Sequence, residues 1–274
     1  ANVAAFDDDP AFSLTVGDVC DADAVGAVLD GATDRCIHLA ARIDVHESLT
    51  APTAHLQTNV VGTHTVLEAA RAHDVPVAIV GTCMVYDVAS ADGGIDETHP
   101  TAPASPYAAT KLAAEELAMG YAAGYGLPVT VLRPFNTYGP YQRADTAGGV
   151  VSIFTERDLA GAPLQVYGDG TQTRDLLYVT DCARFIVDAA QSDAAVGEVL
   201  NAGTGVEVSI AALAARIASD GTPVEHVAHH HPQSEVQRLR CDPAKAAALL
   251  GWTPEVSLEE GLARVRDHLA NRGE

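Results

Sequence analysis

Lysine is almost absent from this 274-residue chain. Only Lys111 and Lys245 occur, and arginine supplies the rest of 16 basic residues set against 37 acidic ones. The formal net charge of −21 gives a surface that repels phosphate backbones, which argues against a nucleic-acid partner. Such self-repulsion is screened by salt, so the composition reads as that of a protein from a salt-rich, halophilic cytoplasm. Cysteine is sparse as well. Cys20, Cys36, Cys83, Cys182 and Cys241 show neither C-x-x-C spacing nor dense pairing, as expected in a reducing cytoplasm. No apolar run approaches the roughly 20 residues that span a bilayer, and no basic stretch followed by an apolar one reads as a signal peptide. The chain opens on Ala1 rather than Met, which reads as an incomplete sequence. What is plentiful is apolar surface, at 47% of residues, enough to build a sizeable core and exclude disorder.

Strand-like and helix-like segments alternate through the first two thirds. Strands are expected at residues 12–16 (FSLTV), 35–40 (RCIHLA), Val77–Val80 and 129–132 (VTVL). Helices are expected at residues 22–29, 53–73 and Pro106–Tyr125. Continuously apolar strands separated by helices predict an α/β protein with a parallel sheet covered on both faces. Ligands of such sheets bind outside the carboxyl ends of the strands. Beyond Asn136 the pattern loosens into a glycine- and proline-rich stretch. It resumes with a helix at 181–191, a strand at 198–202 and helices at 210–219 and 243–250.

The strongest chemical signal is Tyr107-Ala-Ala-Thr-Lys111. A spacing of four puts both side chains on one helical face. A free phenol titrates near pH 10 and is no base at neutrality. A nearby ammonium favours the phenolate, and reaching neutrality takes roughly 4 kcal/mol. Upstream, Val80-Gly-Thr82 ends a strand, where a hydroxyl can hold a substrate oxygen within reach of the phenol.

These residues resemble the extended short-chain dehydrogenase/reductase family, in its nucleotide-sugar epimerase/dehydratase branch. The resemblance runs through Gly17-Asp18-Val19, His38-Leu39-Ala40-Ala41, Asn59-Val60-Val61-Gly62-Thr63, Thr82-x-x-Val85-Tyr86 and Tyr107-x-x-x-Lys111. It continues in Arg133-Pro134-Phe135-Asn136-x-Tyr138-Gly139-Pro140, in the run from Val166 to Asp175, in Asn201-Ala-Gly203 and in Asp242-x-x-Lys245 before Trp252. The resemblance implies a Rossmann-type doubly wound sheet, with residues 1–135 and a return segment 176–202 binding NAD. Residues 136–175 and 203–274 are then a smaller mixed α/β substrate domain. It implies Thr82, Tyr107 and Lys111 as catalytic residues, with Tyr107 and Lys111 also on the nicotinamide ribose. Asp18 and Val19 would meet the adenine, Leu39, Ala40 and Ala41 would lie under the ribose and pyrophosphate, and Pro134 and Phe135 against the carboxamide. Asn59 would orient the turn beside the cofactor. Thr82, Asn136 and Arg174 would grip the nucleotide sugar, an arginine suiting a diphosphate through its planar fork. A homodimer through the two long helices is implied too. The expected reaction is carbon-4 inversion of a UDP-hexose; the alternatives are a one-way sugar reductase or dehydrogenase and a non-catalytic nucleotide-binding protein.

Three departures stand out. The family's opening strand, glycine-rich turn and helix do not occur in the sequence, so a further segment is expected in the full gene product. Cys83 and Met84 occupy positions where the sugar dehydratases of the family carry acids, which argues against dehydration. The run His229-His230-His231-Pro232 stands where the family usually has a phosphate-binding arginine. The histidine trio is expected in a solvated loop, without metal.

Overall fold

A computed structural model describes residues 3–6, 8–89, 93–143, 149–229 and 236–273. After a short helix α1 (Ala22–Gly26) come β1 (Cys36–His38), α2 (Val45–Thr50), α3 (Pro52–Leu56) and α4 (Gly62–Ala72). Then follow β2 (Val77–Val80), α5 (Pro106–Tyr125), β3 (Val129–Pro134), β4 (Asn136–Tyr138), α6 (Val150–Leu159), β5 (Leu164–Tyr167) and β6 (Thr173–Tyr178). Next are α7 (Val179–Gln191), β7 (Val199–Ala202), β8 (Glu207–Ser209), α8 (Ile210–Ile217), β9 (Val224–Val227) and β10 (Arg238–Leu239). The chain closes with α9 (Ala244–Leu250) and α10 (Leu258–Ala270).

The main sheet is parallel throughout, in the order β1-β2-β3-β7. Successive strand residues face opposite sides, and the burial follows that period. Val77, Ile79, Val129 and Val131 meet Leu67, Ala70 and Ala118 of α4 and α5. Ala78, Leu132 and Leu200 meet Phe185, Ile186 and Trp252 on the other face. The fold is the α/β, doubly covered parallel arrangement expected. A second sheet, β10-β6-β4 with β8 antiparallel to β6, and a β5-β9 pair sit beyond β3.

Local chemistry explains α5, which spans the expected residues. Ser105 caps it by accepting from Ala108 N–H, Pro106 takes the first turn, and Gly126 at φ 73° ends it in the left-handed region. The helix expected at 53–73 is interrupted by a π turn at Gln57–Val61, which contains Asn59; such turns often mark functional positions.

Residues 12–16 form no strand. They carry no ladder, with Leu14 62% and Val16 91% exposed, and β1 is an edge strand bonded only to β2 among the described residues. High β-propensity cannot satisfy backbone donors and acceptors without a partner. Helix α6 arises in the stretch that reads as loosened, and α2 and α10 are further helices that the sequence pattern does not single out.

Candidate functional site

The carboxyl ends of β2 and β3 and the start of α5 converge on a cavity of about 510 Å³. Thr82, Tyr107, Pro134, Phe135, Asn136 and Arg174 line it. Lys111 lies behind that wall, 5% exposed, with Nζ donating to Val80 O at 2.6 Å. Thr82 follows Val80 by two residues, and its Oγ accepts from Met84 N–H at 3.2 Å. Thr82 also lies close enough to the Tyr107 phenol to lower its pKa. The phenol and the ammonium therefore address the same strand end.

Their charge states differ from the simple sequence picture. Burial pushes the Tyr107 phenol up to about 12, Thr82 pulls it back, and the charges of Cys83 and Glu115 add to the rise. Burial lowers the Lys111 ammonium to about 8, against the attraction of Glu115. Desolvation dominates, so the phenol is protonated at neutral pH. His38, at the end of β1, is pushed down to about 4 by burial and by Lys111. Its Nε2 pairs with Thr63 Oγ1 at 2.9 Å, so it is neutral.

Asn59 is 1% exposed and ties the segment after β1 to α5. Its Oδ1 accepts from Arg42 N–H at 2.8 Å, while Nδ2 donates to Arg42 O at 3.1 Å and to Thr110 Oγ1 at 3.0 Å. This clamp fixes the turn that carries Leu39, Ala40 and Ala41. Leu39 is 62% exposed on the strand edge, and Asp18 is exposed while Val19 is half-buried near α1. None of these six residues lines the cavity.

The cavity also takes in residues the sequence reading did not single out as site residues. Asp44, His46 and Val45 enter from the start of α2, Gln142 from the segment after β4, and Tyr167 from the end of β5. His229 lines it as well, its ring 5.3 Å from Tyr167 and 6.5 Å from His46. His229 thus lies half-buried in the segment after β9, which runs beside β5 and brings it to the cavity wall; His230 and His231 lie outside the described residues. Tyr167 had a legible signal, a strand end before Gly168, whereas His46 had none. Among the described residues no group of histidines, cysteines and acids could hold a metal ion, and no helix is long and apolar enough to cross a membrane.

Two polar side chains distinguish the cavity wall. Asn136 Oδ1 is buried without a hydrogen-bond partner, an unsatisfied acceptor with a penalty of about 1–3 kcal/mol that a ligand donor would remove. Arg174 is held by donation from Nη1 to Thr173 O at 2.7 Å and Val236 O at 2.8 Å. Asp175 beside it is fully buried.

A buried tyrosine and lysine at a strand end, over a parallel sheet, define the dehydrogenase/reductase class of site. The family described as GDP-mannose 4,6 dehydratase matches residues 2–265. A UDP-glucose 4-epimerase of Mycolicibacterium smegmatis is 36% identical, over 96% of this chain and 84% of its own length. Pal from Bacillus thuringiensis superposes with a TM-score of 0.96 at 44% identity, covering 98% of this chain and 87% of that one. DesIV, the dTDP-glucose 4,6-dehydratase of Streptomyces venezuelae solved with NAD, superposes at 0.91 with 33% identity, over 99% and 84%. The chain belongs to the nucleotide-sugar epimerase/dehydratase family of extended short-chain dehydrogenase/reductases.

Proposed function

We propose that this protein is an NAD-dependent epimerase that inverts carbon 4 of a UDP-hexose through a transient keto-sugar. The carrying observation is the wall beside Thr82. Cys83 and Met84 form it, and Asp44 is the only carboxylate lining the cavity among the described residues. Asp44 is already committed as the cap of α2, accepting from His46 and Glu47 N–H. The Cys83 thiol, pushed up to about 12 by burial, is no general base. Expelling water from the sugar needs an acid and a base beyond Tyr107, and neither is present on this wall. Epimerisation needs neither.

The residues present suit the nicotinamide–ribose end of NAD: a buried amine at Lys111, the Tyr107 phenol, and the Pro134-Phe135 turn beside the cavity. When bound, NAD supplies the hydride acceptor and donor, and a positive ring that favours the phenolate. Tyr107, as phenolate, takes the proton from the sugar hydroxyl and later returns it. Thr82 shares the hydrogen bond to the reacting oxygen. Lys111 supplies positive charge one helical turn away. Asn136 and Arg174 would hold the sugar and its diphosphate while the keto-sugar turns over; because NAD, when bound, would both take and give back the hydride, no net redox change would result. Asp18, Val19, Leu39, Ala40, Ala41 and Asn59 border the rest of the cofactor path. On this reading residues 1–135 and 176–202 serve the cofactor, and 136–175 and 203–274 the substrate.

A panel of nucleotide sugars, followed by isomer ratios, tests the proposal. Interconversion of a 4-epimer pair with no added oxidant is expected. Accumulation of a deoxy-keto sugar, or of reduced cofactor, overturns it. Met84→Glu is expected to impair turnover, since a carboxylate there is buried beside the apolar cluster that Met84 packs on; a gain in turnover contradicts the assignment.

The reading extends to a homodimer through the 52–72 helical run and α5, where Leu56, Val61 and Tyr125 are exposed. It also places the protein in a salt-rich cytoplasm. All five cysteines are free, and the charge of −21 leads to a melting temperature and activity that rise with potassium chloride. An activity optimum near zero salt contradicts that placement.

A further inference from the structure

Behind the Tyr107–Lys111 pair lies a second charged pair that the mechanism above does not use. Glu115, one turn beyond Lys111 on α5, is 2% exposed. Its Oε2 accepts from Arg133 Nε at 2.8 Å and Nη2 at 2.7 Å. Arg133, on β3, is itself buried and stacks over the Tyr86 ring at 4.7 Å. The other oxygen, Oε1, has no hydrogen bond of ordinary geometry. It lies against the Gly81–Thr82 peptide: a Cβ built on Gly81 would stand 2.0 Å from Oε1. Burial raises the Glu115 carboxyl above its ordinary value, while Arg133, Lys111 and the Thr82 N–H favour the carboxylate. A buried carboxylate with one oxygen turned away from its arginine is expensive as mere structure. Here that oxygen is aimed at the strand end where Lys111 and Thr82 work.

We propose that Glu115 is an electrostatic positioning residue: with Arg133 as its anchor, it keeps the Lys111 ammonium charged and seated against the end of β2, behind the Tyr107 phenol. The proposal rests on the functional reading only for its consequence in turnover. The titratable and charged groups around the pair are Glu115 on their own helix, His38 on β1, Cys83 after β2, Arg133 on β3, and the Glu47–His55 pair. The His55 ring meets Tyr107 edge-on at 6.3 Å, and His38 is neutral. Glu115 is the charge that opposes the loss of the Lys111 proton, and it also opposes ionisation of Tyr107.

The sign of the effect follows. Removing the Glu115 charge takes away an attraction on the ammonium, so Lys111 loses its proton at lower pH. It also takes away a repulsion on the phenolate, so Tyr107 ionises at lower pH. Both limbs of a pH–rate profile move the same way, toward acid, by about one pH unit. A purely structural Glu115 would lower the height of the profile and the melting temperature and leave its midpoints in place.

The experiment compares the wild-type chain with Glu115→Gln and Glu115→Asp. Because the chain has only two lysines, side-chain 15N signals of lysine-labelled protein titrate individually, with Lys245→Arg assigning the second. Lys245 sits apart, paired with Glu198 at 2.7 Å. In Glu115→Gln the Lys111 midpoint is expected to fall by about one unit, with the acid and alkaline limbs of turnover moving alike. Glu115→Asp keeps the charge and is expected to keep the midpoints. Should an unpaired Arg133 prevent Glu115→Gln from folding, Glu115→Gln/Arg133→Gln removes both charges, and the same acid shift is expected because Glu115, and not Arg133, is the charge that acts on Lys111 and Tyr107. Unmoved midpoints in a folded variant overturn the proposal whatever its activity. Absence of turnover in the wild-type chain bears on the functional reading and leaves the lysine titration standing as the test.

Discussion

Tyr107→Phe is expected to lower kcat about a thousandfold, within the range that general acid–base groups contribute, while KM for the nucleotide sugar stays near its wild-type value. The substitution removes one oxygen and little else. The ring keeps its edge-on contact with His55 and its burial at the start of α5. The Thr82 hydroxyl keeps its bond from Met84 N–H, so stability should change by no more than about 1 kcal/mol. Arg174 and Asn136, the proposed substrate grips, are untouched.

The size of the effect follows from what the oxygen must do. Burial holds the phenol at about 12 in the unliganded protein, and carrying it to neutrality takes ~7 kcal/mol at ~1.36 kcal/mol per pH unit. Lys111 and the charge of bound NAD have to supply that difference, and without the phenol their stabilisation has nothing to act on. Initial rates over a range of sugar concentrations, with thermal melts as a folding control, make the measurement. A Tyr107→Phe protein with wild-type turnover removes the proposed chemistry altogether.

Asp175→Asn is expected to destabilise the protein by about 2–4 kcal/mol, lowering Tm by roughly 5–15 °C in a chain of this size. Asp175 is fully buried and gathers four donors. Its Oδ1 accepts from Thr204 N–H at 2.8 Å and Thr204 Oγ1 at 2.7 Å; its Oδ2 accepts from Gly205 N–H at 2.8 Å and Cys241 N–H at 3.1 Å. An amide offers one acceptor oxygen and turns two hydrogens toward the remaining N–H groups. The chain is thereby held together at three distant places, β6, the turn after β7, and the segment between β10 and α9. Because Arg174 precedes Asp175 on β6, loosening the clamp should also raise KM more than it lowers kcat. Differential scanning calorimetry at constant salt checks the first effect; an unchanged Tm would mean that the four bonds contribute nothing net.

Much of the architecture was legible from periodicity. The alternation of apolar strands with helices led to a parallel α/β sheet, and Ser105, Pro106 and Gly126 bounded α5 to the residue because capping acts within one turn. The four-residue spacing of Tyr107 and Lys111 fixed their common face before any tertiary contact. Residues 12–16 went the other way: their composition reads as a strand, but pairing is a property of the neighbour, and no ladder partner adjoins them among the described residues.

By itself, then, the order of residues determined the helix that carries the phenol and amine, the strand ends they address, and the class of chemistry available there, since all three follow from spacing and side-chain identity over short range. Tertiary structure alone decided which groups share the cavity and what charge they carry. His46, Tyr167 and His229 meet across 183 residues of chain, and desolvation, which sets the protonation of Tyr107, Lys111 and Glu115, depends on everything folded around them.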